Sequence, residues 1–166
     1  MSAASAGRVM TLAAAERAAR AWRKRGETIV LANGLFDLIH VGHARYLEGA
    51  RALGTRLIVA VNGDGSAARL KGPGHPVMPA ADRARLVAAL RGVDAVVVFD
   101  DPSVESLLAA LRPHVHAKGT DYTRETVPER AAAAALGIET AIAGDSKAHA
   151  SRDLLGRVRA RGTGSA

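Results

Sequence analysis

Thr28-Ile29-Val30-Leu31-Ala32, then Asn33-Gly34-Leu35-Phe36-Asp37-Leu38-Ile39, then His40-Val41-Gly42-His43 is the stretch whose reading decides the fold. The first five residues form a continuous apolar run of strand length, the pattern of a strand buried on both faces. A glycine-bearing turn follows. His40 then opens a stretch of helical periodicity that predicts a helix over about 41–53, stopped by Gly54. A buried strand, a tight turn and two histidines at a helix N-terminus make a site suited to phosphate. Exposed backbone N–H groups and the helix dipole favour negative charge there.

The same alternation continues outward in both directions. Residues 56–61, 94–99, 114–117 and 138–142 read as further strands, and residues 11–25, 80–91, 103–111, 123–136 and 151–161 as helices. Thr11 is placed to cap the first helix and Gly26 to end it. Residues 62–66 read as a turn cluster and residues 67–79 as an irregular segment rich in Gly and Pro. Strands buried on both faces and alternating with helices predict a Rossmann-like α/β fold: three α/β/α layers around an open parallel sheet of about five strands. Ligands in such sheets bind at the carboxyl ends of the strands, near the switch point. The polar clusters at 33–43, 62–66, 100–103, 118–122 and 143–151 each follow a strand, so the architecture gathers them on one edge. The 166 residues predict one domain, with a core over about 28–160, an N-terminal helix over about 11–25, and disorder in residues 1–10 and 162–166.

Composition narrows the function classes. Apolar residues make up 48% of the chain but aromatics only 3%, so the core must be built from Ala, Val, Leu and Ile. Cysteine is absent, which rules out disulfides and thiolate chemistry. The formal charge of +7 fits either a nucleic-acid binder or a protein for small phosphorylated ligands on an arginine-rich background. The basic residues are scattered, apart from 20–25 and 157–161, and aromatics are too few for a base-stacking platform, so the expectation is no nucleic acid. The apolar patch from Val9 to Ala15 is too short for a secretory signal and no run has the length of a membrane span; a cytoplasmic protein without a membrane is expected.

His40 and His43 admit two chemical readings. One is an anion site whose imidazoles follow charge onto a transferring phosphoryl group. The other is a metal pair, since a spacing of three can place two imidazoles on one helical face. That reading needs a third ligand, with His75 or Asp37 as candidates, and no supporting ligand motif is visible.

The segment Gly34-Leu35-Phe36-Asp37 with His40-Val41-Gly42-His43 resembles the signature of the HIGH-motif nucleotidyltransferases, the cytidylyltransferase-like superfamily. The resemblance continues in order through 56–64, Arg69-Leu70-Lys71-Gly72, Arg83, Val93-Asp94 and Lys118-Gly119-Thr120-Asp121-Tyr122. It covers about residues 12–158 and is nearest to the branch of adenylyltransferases that make ADP-heptose from heptose 1-phosphate and ATP. It implies direct in-line attack of a sugar 1-phosphate oxygen on the α-phosphorus of ATP, with pyrophosphate leaving and Mg²⁺ carried by ATP rather than by protein side chains. Such chemistry needs positioning and charge stabilisation, not a nucleophilic side chain.

The resemblance also implies roles. His40 and His43 would contact the ATP phosphates and stabilise the five-coordinate transition state, with Lys71 closing over the site. Gly34 and Gly42 would lie against the nucleotide, and the backbone of Phe36 and Asp37 near its phosphates. Lys118, Gly119, Asp121 and Tyr122 would complete the nucleotide pocket, with Arg83 on phosphate and Asn62, Asp64 and Arg69 toward the sugar. Six of these residues have a plainer alternative: Phe36 as a core residue, Asp37 as a turn or cap, Lys71 as a solvated loop lysine, Arg83 as an exposed helix arginine, and Asn62 and Asp64 as a simple turn. The family's Ser/Thr-rich segment at the last helix is altered here to His149-Ala150-Ser151-Arg152-Asp153, leaving Ser151 as the hydroxyl that can cap the helix and offer an anion site. Related enzymes can be fused to a sugar kinase. No kinase segment is expected here, a homodimer is plausible by resemblance, and Trp22 is either a dimer contact or a packing residue of the first helix.

Overall fold

A computed structural model describes residues 7–145 and 151–162. Its centre is a six-stranded, all-parallel sheet built from β1 (Arg8–Val9), β2 (Ile29–Gly34), β3 (Arg56–Asn62), β4 (Ala95–Phe99), β5 (Val115–Gly119) and β6 (Glu139–Ala143). The helices are α1 (Leu12–Lys24), α2 (Val41–Arg51), α3 (Asp64–Lys71), α4 (Ala80–Ala88), α5 (Glu105–Leu111), α6 (Arg130–Ala135) and α7 (Ser151–Gly162). The strand order is β1-β4-β3-β2-β5-β6. From β2 the chain winds outward through β3 and β4, then crosses back to lay β5 on the other side of β2. The switch point therefore lies between β2 and β5, where a crevice opens at the strand ends.

Period-two alternation divides the core between the two faces of the sheet. Val30, Ala32, Val59, Val61 and Ala117 pack with Leu47 and Ala50 of α2 and Ala84 and Val87 of α4. Ile29, Leu31, Ile58, Ala60 and Val97 pack with Ala15 and Ala19 of α1 and Leu107, Leu108 and Leu111 of α5. Small and β-branched residues suffice because strands buried on both faces leave little room for aromatics. Trp22 packs against the second cluster, with the Arg56 guanidinium 5.3 Å from its ring centroid. Arg56 also pairs with Glu27 and, at 2.9 Å, with Asp94, fastening the strand edge remote from the switch crevice. Among the described residues, no helix is long and apolar enough to cross a membrane.

Three expectations need correction. Residues 7–10 are ordered: Arg8 and Val9 add a sixth strand beside β4, because their backbone extends the ladder that Ala95 and Val96 leave open. Residues 64–71, expected as a turn and an irregular segment, form helix α3. Its N-terminus is capped from a distance, with Ser66 N–H donating to the Asp100 carboxylate at 3.1 Å. Gly63 is needed for that approach, since a Cβ there would stand 2.4 Å from Asp100 Oδ1. The helix expected over 123–136 is confined to α6; ahead of it, Thr123 N–H donates to Thr126 Oγ1 at 2.8 Å and closes a local turn. The predicted Thr11 cap is present, its hydroxyl accepting from Ala14 N–H at 3.2 Å.

Candidate active site

The carboxyl ends of β2 and β5 open into a cleft of about 1060 Å³. One wall is the turn after β2 together with the first turn of α2. His40 is the N-cap in extended backbone, and its Nδ1 accepts from Gly42 N–H at 3.1 Å. His43 Nδ1 in turn accepts from His40 N–H at 3.3 Å, so the two imidazoles form a reciprocal capping box. This fixes the chemistry of the rings. A nitrogen that accepts a backbone hydrogen bond carries no proton, so each neutral ring has its proton on Nε2. The rings stack with centroids 4.0 Å apart. Both line the cleft.

Beneath them Phe36 is buried to 1% exposure, stacked on Tyr46 at 6.3 Å and tilted on His43 at 5.3 Å. Its side chain is thus a core residue that supports His43. Phe36 and Leu38 take positive φ values of 53° and 48°, a left-handed backbone that costs non-glycine residues energy and is held by the surrounding structure. Tyr46 reaches back to the sheet, donating to Ala117 O at 2.8 Å and accepting from Asn33 N–H at 3.3 Å. Burial raises its pKa well above the usual phenol range, so it remains a neutral bridge between β2, β5 and α2. The far end of α2 packs closely on the loop after β6: a Cβ on Gly49 would stand 2.7 Å from Gly144 N.

Asp37 works on the segment that follows α3. Its carboxylate accepts from Val77 N–H at 2.8 Å and Met78 N–H at 3.1 Å, and His75 lies 3.6 Å away. This holds the loop that follows Lys71 against the cleft, where Lys71 and His75 both stand. Across the switch point, Lys118 and Gly119 end β5 and continue into Asp121 and Tyr122, all lining the cleft. The Lys118 ammonium is 3.6 Å from Glu129 Oε2 and 4.8 Å from the Tyr122 ring centroid, with its side chain only 8% exposed. The ammonium is thus held between a carboxylate and an aromatic face on the cleft wall. Gly34, Gly42 and Asn62 are also on the cleft wall.

Three residues expected at the ligand lie outside the cleft lining. Arg83 is fully buried, off any exposed helix face, and lies outside the cleft lining. Its guanidinium donates to Met78 O at 2.8 Å, Leu35 O at 2.6 Å, Asn62 O at 2.7 Å and Asp64 Oδ1 at 2.8 Å. It is a clamp joining the turn after β2, the end of β3 and the loop before α4, because carbonyls at turns and strand ends lack helix or sheet partners. Asp64 is engaged by Arg83 and by Ala80 N–H, and Arg69 by Asp100 O at 2.6 Å; neither lines the cleft. Asn62 does, although its amide donates to Ser66 Oγ at 2.8 Å. Ser151 is the first residue of α7, and its side chain, like residues 146–150, lies outside the described part.

The cleft also contains residues that motif reading passed over: Asn33, Arg45, Tyr46, Glu129, Asp145 and Arg159. The spacing of three between His43 and Tyr46 puts them on one helix face and was a usable signal. Glu129 and Asp145 arrive through tertiary packing, Asp145 pairing with Arg45 at 3.2 Å. Among the described residues, no group of three or more His, Cys, Asp or Glu side chains converges as a metal cage.

Residues 31–150 match the family described as cytidylyltransferase-like. The chain is 49% identical over 126 residues to the bifunctional protein HldE of Methylobacillus flagellatus, covering 76% of this chain and 26% of that protein. It is 42% identical over 154 residues to the bifunctional protein HldE of Aeromonas hydrophila, covering 93% of this chain and 32% of that one. The chain thus spans a quarter to a third of the length of these relatives. Among solved structures it is similar to the lipopolysaccharide core biosynthesis protein from Thermoplasma volcanium, with a TM-score of 0.64 and 24% identity over 74% of this chain and all of that one, a likeness of fold. With the family match spanning the sheet from β2 to β6 and the paired histidines at its switch point, the chain belongs to the cytidylyltransferase-like family.

Proposed function

We propose that this chain is a nucleotidyltransferase that moves AMP from ATP to a heptose 1-phosphate, giving ADP-heptose and pyrophosphate. The observation that carries the reading is the reciprocal His40–His43 cap, which leaves both rings as Nε2–H tautomers on the wall of a cleft that also holds the desolvated Lys118. The similarity to bifunctional HldE proteins over most of this chain supports the sugar-phosphate assignment.

In the proposed reaction an oxygen of the sugar 1-phosphate attacks the α-phosphorus as the bond to the pyrophosphate oxygen breaks. Negative charge grows on the equatorial oxygens and the leaving group. The imidazole N–H donors of His40 and His43 stabilise that charge without changing protonation state, and Lys71 and Lys118 add fixed positive charge. Gly34, Gly42 and the 36–37 backbone form the nucleotide's near wall, Gly119, Asp121 and Tyr122 the far one, and the α7 N-terminus at Ser151 an added anion site. Asp37 accepts from two backbone N–H groups, and Mg²⁺ carried by the triphosphate would supply charge neutralisation for the pyrophosphate.

The test is pyrophosphate release by the purified protein over a matrix of ATP or CTP with heptose 1-phosphate, other sugar 1-phosphates or glycerol phosphate, each with and without Mg²⁺. Turnover confined to ATP, heptose 1-phosphate and Mg²⁺ is expected. Turnover with CTP and glycerol phosphate, or none with the expected set, refutes the assignment.

A further inference from the structure

The face of the sheet that carries Ile29 and Leu31 ends at the cleft in a row of polar residues. Asn33 continues β2 on that face, and His116 and Lys118 occupy it on β5, with His116 in register with Leu31. His116 is fully buried. Its Nε2 lies 3.0 Å from Asn33 Oδ1, and its Nδ1 has no hydrogen-bond partner. Asn33 is half-buried and lines the cleft.

The orphan nitrogen decides how this pair is wired. If Nδ1 carried the proton, a buried N–H would be left without an acceptor. If Nε2 carries it, only an under-used acceptor is buried, the smaller of the two penalties. Burial, and then the neighbouring Lys118 charge, push the imidazole pKa down to about 4, which keeps the ring neutral. His116 Nε2–H therefore donates to Asn33 Oδ1. That fixes the carboxamide flip, with the amide oxygen turned inward and the NH₂ group left for the cleft.

We propose that Asn33 is a substrate-binding residue and that His116 is its positioning residue: the buried imidazole holds the Asn33 carboxamide so that its NH₂ donates to an oxygen of a bound phosphorylated substrate. Nothing in the phosphate-binding motif requires an amide at this position. The hydrogen-bond-accepting oxygen belongs either to the nucleotide or to the sugar phosphate, and the kinetics separate the two. The inference rests on the nucleotidyltransferase reading.

The test uses the whole protein with Asn33→Ala, His116→Leu, the double variant and His116→Gln, whose side-chain N–H can reach the position of imidazole Nε2. Asn33→Ala is expected to raise KM for one substrate by on the order of tenfold, the loss of one hydrogen bond, with kcat and the KM of the other substrate changed far less. The substrate affected identifies the source of the oxygen. His116→Leu reproduces most of that rise, the double variant is no worse than Asn33→Ala, and His116→Gln restores the wild-type KM to within about threefold. Unchanged KM values in Asn33→Ala overturn the proposal. So does a double variant whose effects simply multiply, or a His116→Leu that loses thermal stability with both KM values intact, which marks a purely structural histidine. Should His116→Leu not fold, Asn33→Ala and His116→Gln still decide the matter. Failure of the wild type to turn over any substrate pair refutes the parent assignment instead, so the two failures are told apart.

Discussion

Replacing Arg83 by Met keeps the length and bulk of the side chain and removes its donors. The wild-type guanidinium serves four acceptors, and the substitution leaves the Leu35, Asn62 and Met78 carbonyls without it. The Asn62 bond is buried and the other two carbonyl bonds are partly buried. One buried acceptor stranded at about 1–3 kcal/mol, and two partly hydrated ones at about 1 kcal/mol each, give a loss of about 3–5 kcal/mol. Against a typical total stability of about 5–15 kcal/mol this is severe, and it corresponds to a fall of roughly 10 °C in the melting temperature. Trp22 is the sole tryptophan and packs on the opposite face of the sheet, so its fluorescence during urea unfolding reports the global transition rather than the site. Arg83→Lys should recover less than half of the loss, because one ammonium group cannot reach acceptors on two loops and a strand end at once. A variant whose stability lies within about 1 kcal/mol of wild type, with KM for ATP raised tenfold or more, would refute the clamp and return Arg83 to a role in phosphate binding.

The other predictions concern the histidines and the packing that carries them. His43→Ala should lower kcat by on the order of a hundredfold while ATP binding, measured by calorimetry, changes only a few-fold; equal losses in both would mean that His43 binds the ground state instead. His116, at about 4 in the folded protein against 6.5 for a free imidazole, supports stability that is complete above pH 6.5 and is lost as pH falls toward 4. Urea midpoints at pH 7.5 and 4.5 should therefore show wild type losing on the order of 3 kcal/mol more than His116→Gln over that interval, and parallel losses would contradict the buried neutral ring. Gly49→Ala would press a methyl group to 2.7 Å from Gly144 N, a backbone atom, and should cost about 1–3 kcal/mol in the same unfolding assay. No loss there would mean that α2 and the loop after β6 can move apart freely.

The fold was legible because its signals are local. Apolar runs such as 29–32, 57–61 and 95–97 cannot satisfy their hydrophobic faces except inside a sheet covered on both sides, and glycines at helix ends punctuate them. The sixth strand escaped notice because two residues carry no periodicity; the ladder edge of β4 holds Arg8 and Val9 in place. Helix α3 escaped because Gly63 and Gly65 read as a turn, whereas its cap is the Asp100 carboxylate from the end of β4, 34 residues away in sequence from the N–H it accepts.

The site divides along the same line. The two histidines, the strand before them and the helix after them are contiguous, so their capping geometry follows from neighbours in the chain, and the sequence by itself determined a pair of imidazoles at a strand–helix junction. Tertiary structure decided what surrounds it. Arg83, expected as a phosphate ligand, is a buried clamp because two loops and the end of β3 present carbonyls to it. Asn33 and His116, 83 residues apart and in no shared motif, became partners because the crossover lays β5 against β2. Motif spacing records which groups a chain can offer to a ligand. Which of them remain available is settled only when long-range packing has satisfied the buried backbone and side-chain polar groups, since those must be paired before any donor is left for a substrate.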